Sequence, residues 1–252
     1  MNAPVLLYGE RAGHTFGTDA APLVTTRRDD IALKDVEIHY CLFELPMASV
    51  LPRLPEALHP SIPAVIGLTV WRCADGPLGA FTLAYVGVAC RTGIKPRHLV
   101  HGAFCSSAEV GAFLRDRYGF ACRTARVHSL ETYDRAHSRV EVDGRAVLDL
   151  ATDRLQPLVG RGAMVKYSPP LNAAKVGDGV ALVQMETSFD FKRAARGVPH
   201  ATVYDAAALG DATLCPHYPI SGAFAVADVT LHPPRFKVSP SMPAEKGGAS
   251  KL

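Results

Sequence analysis

The feature of this sequence that most constrains its fold is a succession of β-forming segments. Residues 36–43 alternate and are rich in β-formers, 64–73 are a nearly continuous apolar run, and 80–91 continue the pattern. Asp143-Gly144 has the composition of a two-residue hairpin turn. Further strands are predicted at 97–105, 123–129, 137–142, 145–150, 180–191 and 220–231. The pattern predicts a mainly β chain of the α+β class, an antiparallel β-barrel or folded sheet with a few short helices.

Only two segments have a helical pattern. Residues 106–118 place apolar side chains on one face, and Ser106 with Glu109 forms a capping-box pattern at the start. Gly119 stands where a left-handed C-cap requires glycine, so the helix is predicted to end there. Residues 46–54 predict a short helix opened by proline.

Composition sets the domain organisation. The chain has 252 residues, of which 48% are hydrophobic and 20% charged, enough for one large core. We expect an N-terminal arm over 1–30, one domain over 31–238 and a flexible tail over 239–252.

The net charge of +3 is scattered and predicts no nucleic-acid partner. No window approaches the ~18 apolar residues of a membrane helix, so no membrane partner is expected.

Cysteines and histidines carry no metal signature. The six cysteines include no Cys-x-x-Cys pair, and the ten histidines include no His-x-His or His-Glu-x-x-His pattern. We therefore expect no metal and no cofactor. The N-terminus does not resemble a signal peptide, so a reduced cytoplasmic location is expected. The C-terminal Ser250-Lys251-Leu252 spells the peroxisomal address, which would act in a eukaryote.

The segment that follows the longer helix resembles the active-site segment of the acetoacetate decarboxylase family. Residues 115–116 and 118–120 match its Arg-Glu and aromatic-Gly-Phe positions. In that family a Lys-Lys pair follows, whose first lysine forms a Schiff base and whose second lowers the pKa of the first. Cys122 and Arg123 occupy these two positions here. The resemblance therefore implies the fold of that family without its Schiff-base amine.

Other motifs extend the resemblance over about residues 36–231. Residues 79–83 loosely match a Gly-Pro-Tyr-x-Glu motif, with Leu83 at the glutamate. Residues 163–170 resemble an Asn-Leu-Lys-x-Ile-Pro motif, with Lys166 at its lysine. The family resemblance further implies a small keto or carboxylic substrate and a homo-oligomer.

Cys122 and Arg123 admit two interpretations. An arginine beside a thiol favours the thiolate, and arginine binds carboxylates with two hydrogen bonds. In the functional interpretation Arg123 holds an acidic or enolisable substrate, and Cys122 acts as a nucleophile or weak acid. In the structural one Cys122 fills the space of a lost side chain and Arg123 forms a local salt bridge. Lys34 is the one other lysine that we consider as a replacement amine.

Two histidines are candidates for acid–base chemistry. His101 lies on the strand before the longer helix, and His137 on the strand after that of Cys122; each could equally be a polar group of the sheet wall. Adjacent helical residues do not face each other, so Arg115 and Asp116 are expected to pair elsewhere. The predicted substrate-binding residues are Arg115, Leu83, Tyr118 and Glu186.

The sequence thus predicts an acetoacetate-decarboxylase-like enzyme without a Schiff-base lysine. Its expected chemistry is lyase-type (decarboxylase, dehydratase, aldolase or cyclase-like) or hydrolytic, on a small keto or carboxylic compound, through enolate stabilisation. The alternative is a non-catalytic small-molecule-binding or structural protein with the same fold. An unmodified decarboxylase is a third hypothesis.

Overall fold

The computed structural model describes residues 7–24, 29–92, 95–159, 168–242 and 249–251. These residues form two α-helices, α1 (Met47–Val50) and α2 (Ala108–Tyr118), and two 3-10 helices, Gly13–Thr15 and Leu51–Arg53. The strands are β1 (Ile31–Glu44), β2 (His59–Pro60), β3 (Val65–Cys73), β4 (Phe81–Thr92), β5 (Lys95–Cys105), β6 (Arg123–Thr124), β7 (Arg126–Glu131), β8 (Arg135–Val142), β9 (Arg145–Pro157), β10 (Pro170–Val176), β11 (Gly179–Gln184), β12 (Thr187–Tyr204), β13 (Pro219–Leu231), β14 (Phe236–Val238) and β15 (Ala249–Lys251).

One sheet contains all of these strands. Its order is β15-β14-β11-β10-β5-β4-β3-β1-β13-β12-β9-β8-β7, with β2 paired to β4 and β6 paired to β5. Most pairs are antiparallel, and β5 makes parallel pairs with β10 and β6. The predicted mainly β class is confirmed. Of the two predicted architectures the folded sheet is confirmed, and the closed barrel is wrong for the part of the chain described, because β7 lies against β3, β4 and β5 instead of hydrogen-bonding to the opposite terminal strand.

Both faces of the central strand β1 are buried. Cys41 and Phe43 belong to one hydrophobic core, which also contains Leu68 of β3. Ile38 belongs to a second core on the opposite face, which is covered by α2 and contains Trp71. Alternation along the strand produces this division, since successive side chains point to opposite faces of a sheet. The sheet therefore separates two interiors.

The longer helix forms close to its predicted bounds. Its N-cap is Ser107, whose hydroxyl accepts a hydrogen bond from the Val110 amide at 3.3 Å. The predicted capping box is therefore one residue early, because the Ser106 hydroxyl instead accepts from the Thr82 amide at 2.8 Å. Gly119 ends the helix with a φ of 65°, as predicted. None of the helices in the described segments is long and apolar enough to cross a membrane.

The predicted hairpin is confirmed, and two predicted strands, 123–129 and 180–191, are each divided into two strands. Asp143 and Gly144 have φ values of 51° and 76°, the left-handed pair that a two-residue hairpin turn needs. The predicted strand over 180–191 is two strands, β11 and β12. The chain leaves the sheet between them, where the Met185 amide donates to the Pro170 carbonyl at 3.0 Å.

A buried polar network crosses the first core. His39 Nδ1 lies 2.8 Å from the Ser138 hydroxyl, and Nε2 lies 2.9 Å from the Thr152 hydroxyl. The Cys41 thiol lies 3.2 Å from the same Thr152 oxygen. These contacts join β1 to β8 and β9, which are not its neighbours in the sheet. Burial, with the nearby His137 charge, lowers the pKa of His39 to about 3, so the ring is neutral at pH 7.

We predict that His39→Gln weakens the acid destabilisation of the protein. The folded-state pKa of His39 lies below its ordinary value of 6.5, so the unfolded state binds the extra proton. Stability is complete above pH 6.5 and falls towards pH 3, by about 1.4 kcal/mol per pH unit for one such group. Denaturant unfolding between pH 7 and 4 measures this slope. The exposed His128→Gln is the control, and an unchanged slope in His39→Gln would contradict the prediction.

Candidate functional site

A cavity of about 260 Å³ lies on the second-core side of the sheet centre. We call it the central pocket. The sheet contributes Tyr40 from β1, Thr69 and Trp71 from β3, and Tyr85 from β4. Register places these side chains together, since Thr69 is opposite both Tyr40 and Tyr85. The remaining lining residues come from the segment before β10, the end of β11 and the start of β12: Ser168, Pro169, Pro170, Gln184, Thr187 and Phe189.

Aromatic contacts fix the walls of the central pocket. The Trp71 ring makes edge contacts with Tyr85 and Phe189, at centroid distances of 6.4 and 6.0 Å. Phe189 also stacks on Phe191 at 5.6 Å, and Tyr85 contacts Phe120 at 5.5 Å. Such contacts hold large rings in defined orientations. The pocket is therefore lined by flat apolar surfaces of fixed position.

The polar groups of the central pocket are uncharged. Burial raises the pKa of Tyr85 to about 12, partly offset by its hydrogen bond to Thr69, so the phenol keeps its proton. Gln184 and Thr187 add an amide and a hydroxyl. The Trp71 indole N–H is buried without a hydrogen-bond partner among the described residues. A buried donor without a partner marks a place where an acceptor on a ligand would be stabilised.

Cys122 and Leu83, which the sequence resemblance assigns to the family's lysine and glutamate positions, lie in one apolar cluster beside this pocket. Cys122 and Leu83 both pack in the second core, as do Trp71 and Cys105. Gly111 of α2 makes room for the two thiols: a Cβ there would lie 3.4 Å from the Cβ of Cys122 and 3.7 Å from that of Cys105. Burial raises the pKa of the Cys122 thiol. The thiolate expected beside Arg123 is therefore disfavoured.

Arg123 lies on the opposite side of the sheet from Cys122. Its guanidinium is 4.6 Å from the centroid of the Phe104 ring, in the first core, and donates to the Ala208 carbonyl. Adjacent residues of an extended segment point in opposite directions, which explains the separation. Arg123 does not line the central pocket.

His101 and His137 are apart from the central pocket and from each other. Val86 pairs with Gly102 and Gly87 with Val100, so His101 is the extra residue of a β-bulge. Burial lowers the pKa of His101 to about 4. His101 lines a separate cavity of about 230 Å³ beside Gly119 and Asn172.

His137 lies on β8, and 38% of its side chain is exposed. Its Nε2 is 2.9 Å from Asp149. Lys34 is also at the surface, 2.6 Å from Asp228 and 70% exposed. Both side chains contact carboxylates away from the central pocket.

The predicted substrate-binding residues Arg115, Tyr118 and Glu186 make contacts outside the central pocket. The Tyr118 hydroxyl donates to the His232 carbonyl at 2.6 Å, and Glu186 lies 3.6 Å from the Arg235 guanidinium. Arg115 Nε donates to Asp116 at 3.0 Å. The expectation that these neighbours pair elsewhere is therefore wrong, because the long arginine side chain bends back to the adjacent carboxylate. Lys166 lies outside the described residues.

Sequence reasoning missed the aromatic pocket residues. Tyr40, Trp71 and Tyr85 each lie within a predicted strand. Alternation along each strand shows which side chains share a face of that strand. It does not show which strands are neighbours, so the sequence could not bring these three residues together. Within the described ranges, no group of three or more His, Cys, Asp or Glu side chains is placed to hold a metal ion.

Comparison with known proteins gives matches among solved structures alone. No protein-family model and no curated protein matches the chain. An acetoacetate decarboxylase from Legionella pneumophila is similar with a TM-score of 0.72 and 17% identity, covering 87% of this chain and 92% of that one. The enduracididine biosynthesis enzyme MppR, in complex with pyruvate, has a TM-score of 0.65 and 18% identity, covering 82% and 88%. An acetoacetate decarboxylase-like enzyme from Sphingomonas wittichii RW1 has a TM-score of 0.64 and 11% identity, covering 92% and 98%.

These three similar structures are all enzymes, and each match spans most of both chains. Sequence identity below 20% limits the conclusion to the fold, since one fold carries many functions. The chain has the acetoacetate-decarboxylase-like fold.

Proposed function

We propose that this protein is an enzyme that binds a small uncharged carbonyl compound in the central pocket and promotes its enolisation without a Schiff base. The observation that carries the proposal is the unpartnered indole N–H of Trp71 in a pocket of aromatic walls and neutral polar groups. Lyase-type chemistry, such as elimination or addition next to the carbonyl, is the reaction class that an enolate-like intermediate serves.

The electrostatics of the described lining support an uncharged ligand. A carboxylate that leaves water needs a paired positive charge, and burial without one is costly. Arg123, the residue expected to bind a substrate carboxylate, lies against Phe104 and Ala208 instead. The predicted keto-acid substrate is thus replaced in this proposal by a ketone, lactone or enone.

The fixed donors give the pocket a way to stabilise developing negative charge. Trp71 N–H would donate to the carbonyl oxygen while hydroxide from solvent takes the α-proton and leaves as water, and the aromatic walls would hold the carbon skeleton. Donors that are already oriented in a water-poor site stabilise an enolate-like oxygen more than the ground-state carbonyl. This is the role that we assign to Trp71.

A non-catalytic binding protein is the second candidate. It is favoured by one observation: the ionisable candidates Arg123, His137 and Lys34 all lie away from the central pocket. Both candidates share the ligand class and differ in whether the bound carbonyl compound exchanges its α-protons.

We predict that neutral ketones and lactones change the fluorescence of Trp71, and that keto acids of the same size do so at least tenfold less strongly. Trp71 is the one tryptophan of the chain, so the signal reports the central pocket directly. Phe189→Ala should weaken binding roughly tenfold, because it removes an aromatic wall. Phe236→Ala, at an exposed phenylalanine outside the pocket, is the matched control. Tighter binding of keto acids than of ketones would refute the uncharged ligand class.

We predict that the protein catalyses deuterium exchange at the α-carbon of a bound ketone in D₂O, measured by NMR. Trp71→Phe should lower the exchange rate at least tenfold because the donor to the carbonyl oxygen is lost. Binding without exchange would favour the non-catalytic candidate. Borohydride treatment with acetoacetate should label no lysine, and a label on Lys166 would instead support a Schiff-base enzyme.

A further inference from the structure

We infer that His98 is a positioning residue of the central pocket, which fastens the wall over 168–170 to the sheet beside Tyr40. The functional meaning of this role rests on the proposed function, whereas the geometry that carries it does not. His98 lies on β5 and is 2% exposed. It does not line the pocket itself.

His98 contacts the pocket wall through its main chain and its side chain. Its amide donates to the Pro169 carbonyl at 3.1 Å, and in the parallel β5–β10 pair it lies opposite Pro170. Its ring interacts with the Ser168 backbone. One residue of the sheet therefore contacts the wall at Ser168 and Pro169 and lies beside Pro170.

The sheet is built to admit this imidazole ring. Gly67 of β3 and Gly87 of β4 are directly opposite each other. A Cβ on Gly67 would lie 2.9 Å from Cε1 and 3.0 Å from Nε2 of His98, and a Cβ on Gly87 would lie 3.1 Å from its Cβ. Glycine weakens a strand interior, so a facing pair in two buried strands marks a close approach that the fold requires.

The same ring contacts the sheet side of the pocket. Its centroid is 6.1 Å from that of Tyr40, which lines the pocket from β1. Burial lowers the pKa of His98 to about 4, so a neutral ring joins the two sides of the pocket at pH 7. A shift of the His98 ring would therefore displace both the wall over 168–170 and the Tyr40 side chain.

The test measures quenching of Trp71 fluorescence by acrylamide in the ligand-free protein. His98→Phe retains the ring volume and loses the ring's polar interaction with Ser168, whereas His98→Asn has less volume and retains a side-chain donor. We expect His98→Phe to raise the quenching constant at least twofold, and His98→Asn to remain closer to wild type. His128→Gln, at an exposed side chain of β7, should leave quenching unchanged.

A second variant keeps the test independent of folding at residue 98. Gly67→Ala should displace the intact imidazole ring and raise quenching as His98→Phe does, with circular dichroism confirming the β fold. Wild-type quenching in folded His98→Phe or Gly67→Ala would overturn the inference. A smaller rise of the quenching constant in His98→Phe than in His98→Asn would also overturn the inference. The volume of the side chain at residue 98 would then explain its effect without the hydrogen-bonding groups of the ring.

The proposed function and this inference can fail separately. If wild-type protein binds no carbonyl compound, the proposed function fails, and the quenching comparison still decides the role of His98. If a ketone does bind, His98→Phe should weaken it at least fivefold, and unchanged affinity with unchanged quenching would overturn the inference while the proposed function stands.

Discussion

Burial of both faces of the central strands is the constraint on which the rest of the structure depends. A strand that is exposed on one side can place any polar residue there, but the buried middle of β1 (residues 38–41) and residues 66–71 of β3 cannot. Each polar group on these strands must be hydrogen-bonded or carry a cost. On the first-core face His39 meets this requirement through Ser138 and Thr152. On the second-core face the Trp71 N–H is left without a partner among the described residues.

These two polar groups have different roles: we assign a structural role to His39 and a ligand-binding role to the Trp71 N–H. The His39 network reaches across the interior to strands that are not neighbours of β1, so it fixes how the curled sheet closes on its core. Nothing in it opens to a described cavity. Trp71 and Tyr85, in contrast, line one. A buried N–H without a hydrogen-bond partner costs less where a bound ligand supplies the acceptor.

Local patterns predicted local structure well. The glycine at 119 and the Asp143-Gly144 pair each require backbone conformations that few residues adopt, and both occupy the predicted turns. Strand pairing could not be predicted, because alternation gives the two faces of each strand and not its neighbours. The predicted site therefore combined Cys122 and Arg123 with residues such as His101, His137 and Glu186, whereas the central pocket joins β1, β3, β4, β11 and β12.

The two positions at which the sequence resemblance implies departures from the family are neighbours in the structure. The resemblance implies Leu83 at the glutamate and Cys122 at the Schiff-base lysine, and both side chains lie in the same apolar cluster. Removing one member of a buried charged set leaves the other charge uncompensated, which destabilises a protein strongly. Replacing both members by uncharged side chains avoids that penalty and lets the site pack as a core. The described lining of the central pocket is likewise uncharged. A charged substrate would carry an unpaired charge into this lining, and this argument favours an uncharged ligand independently of which reaction follows.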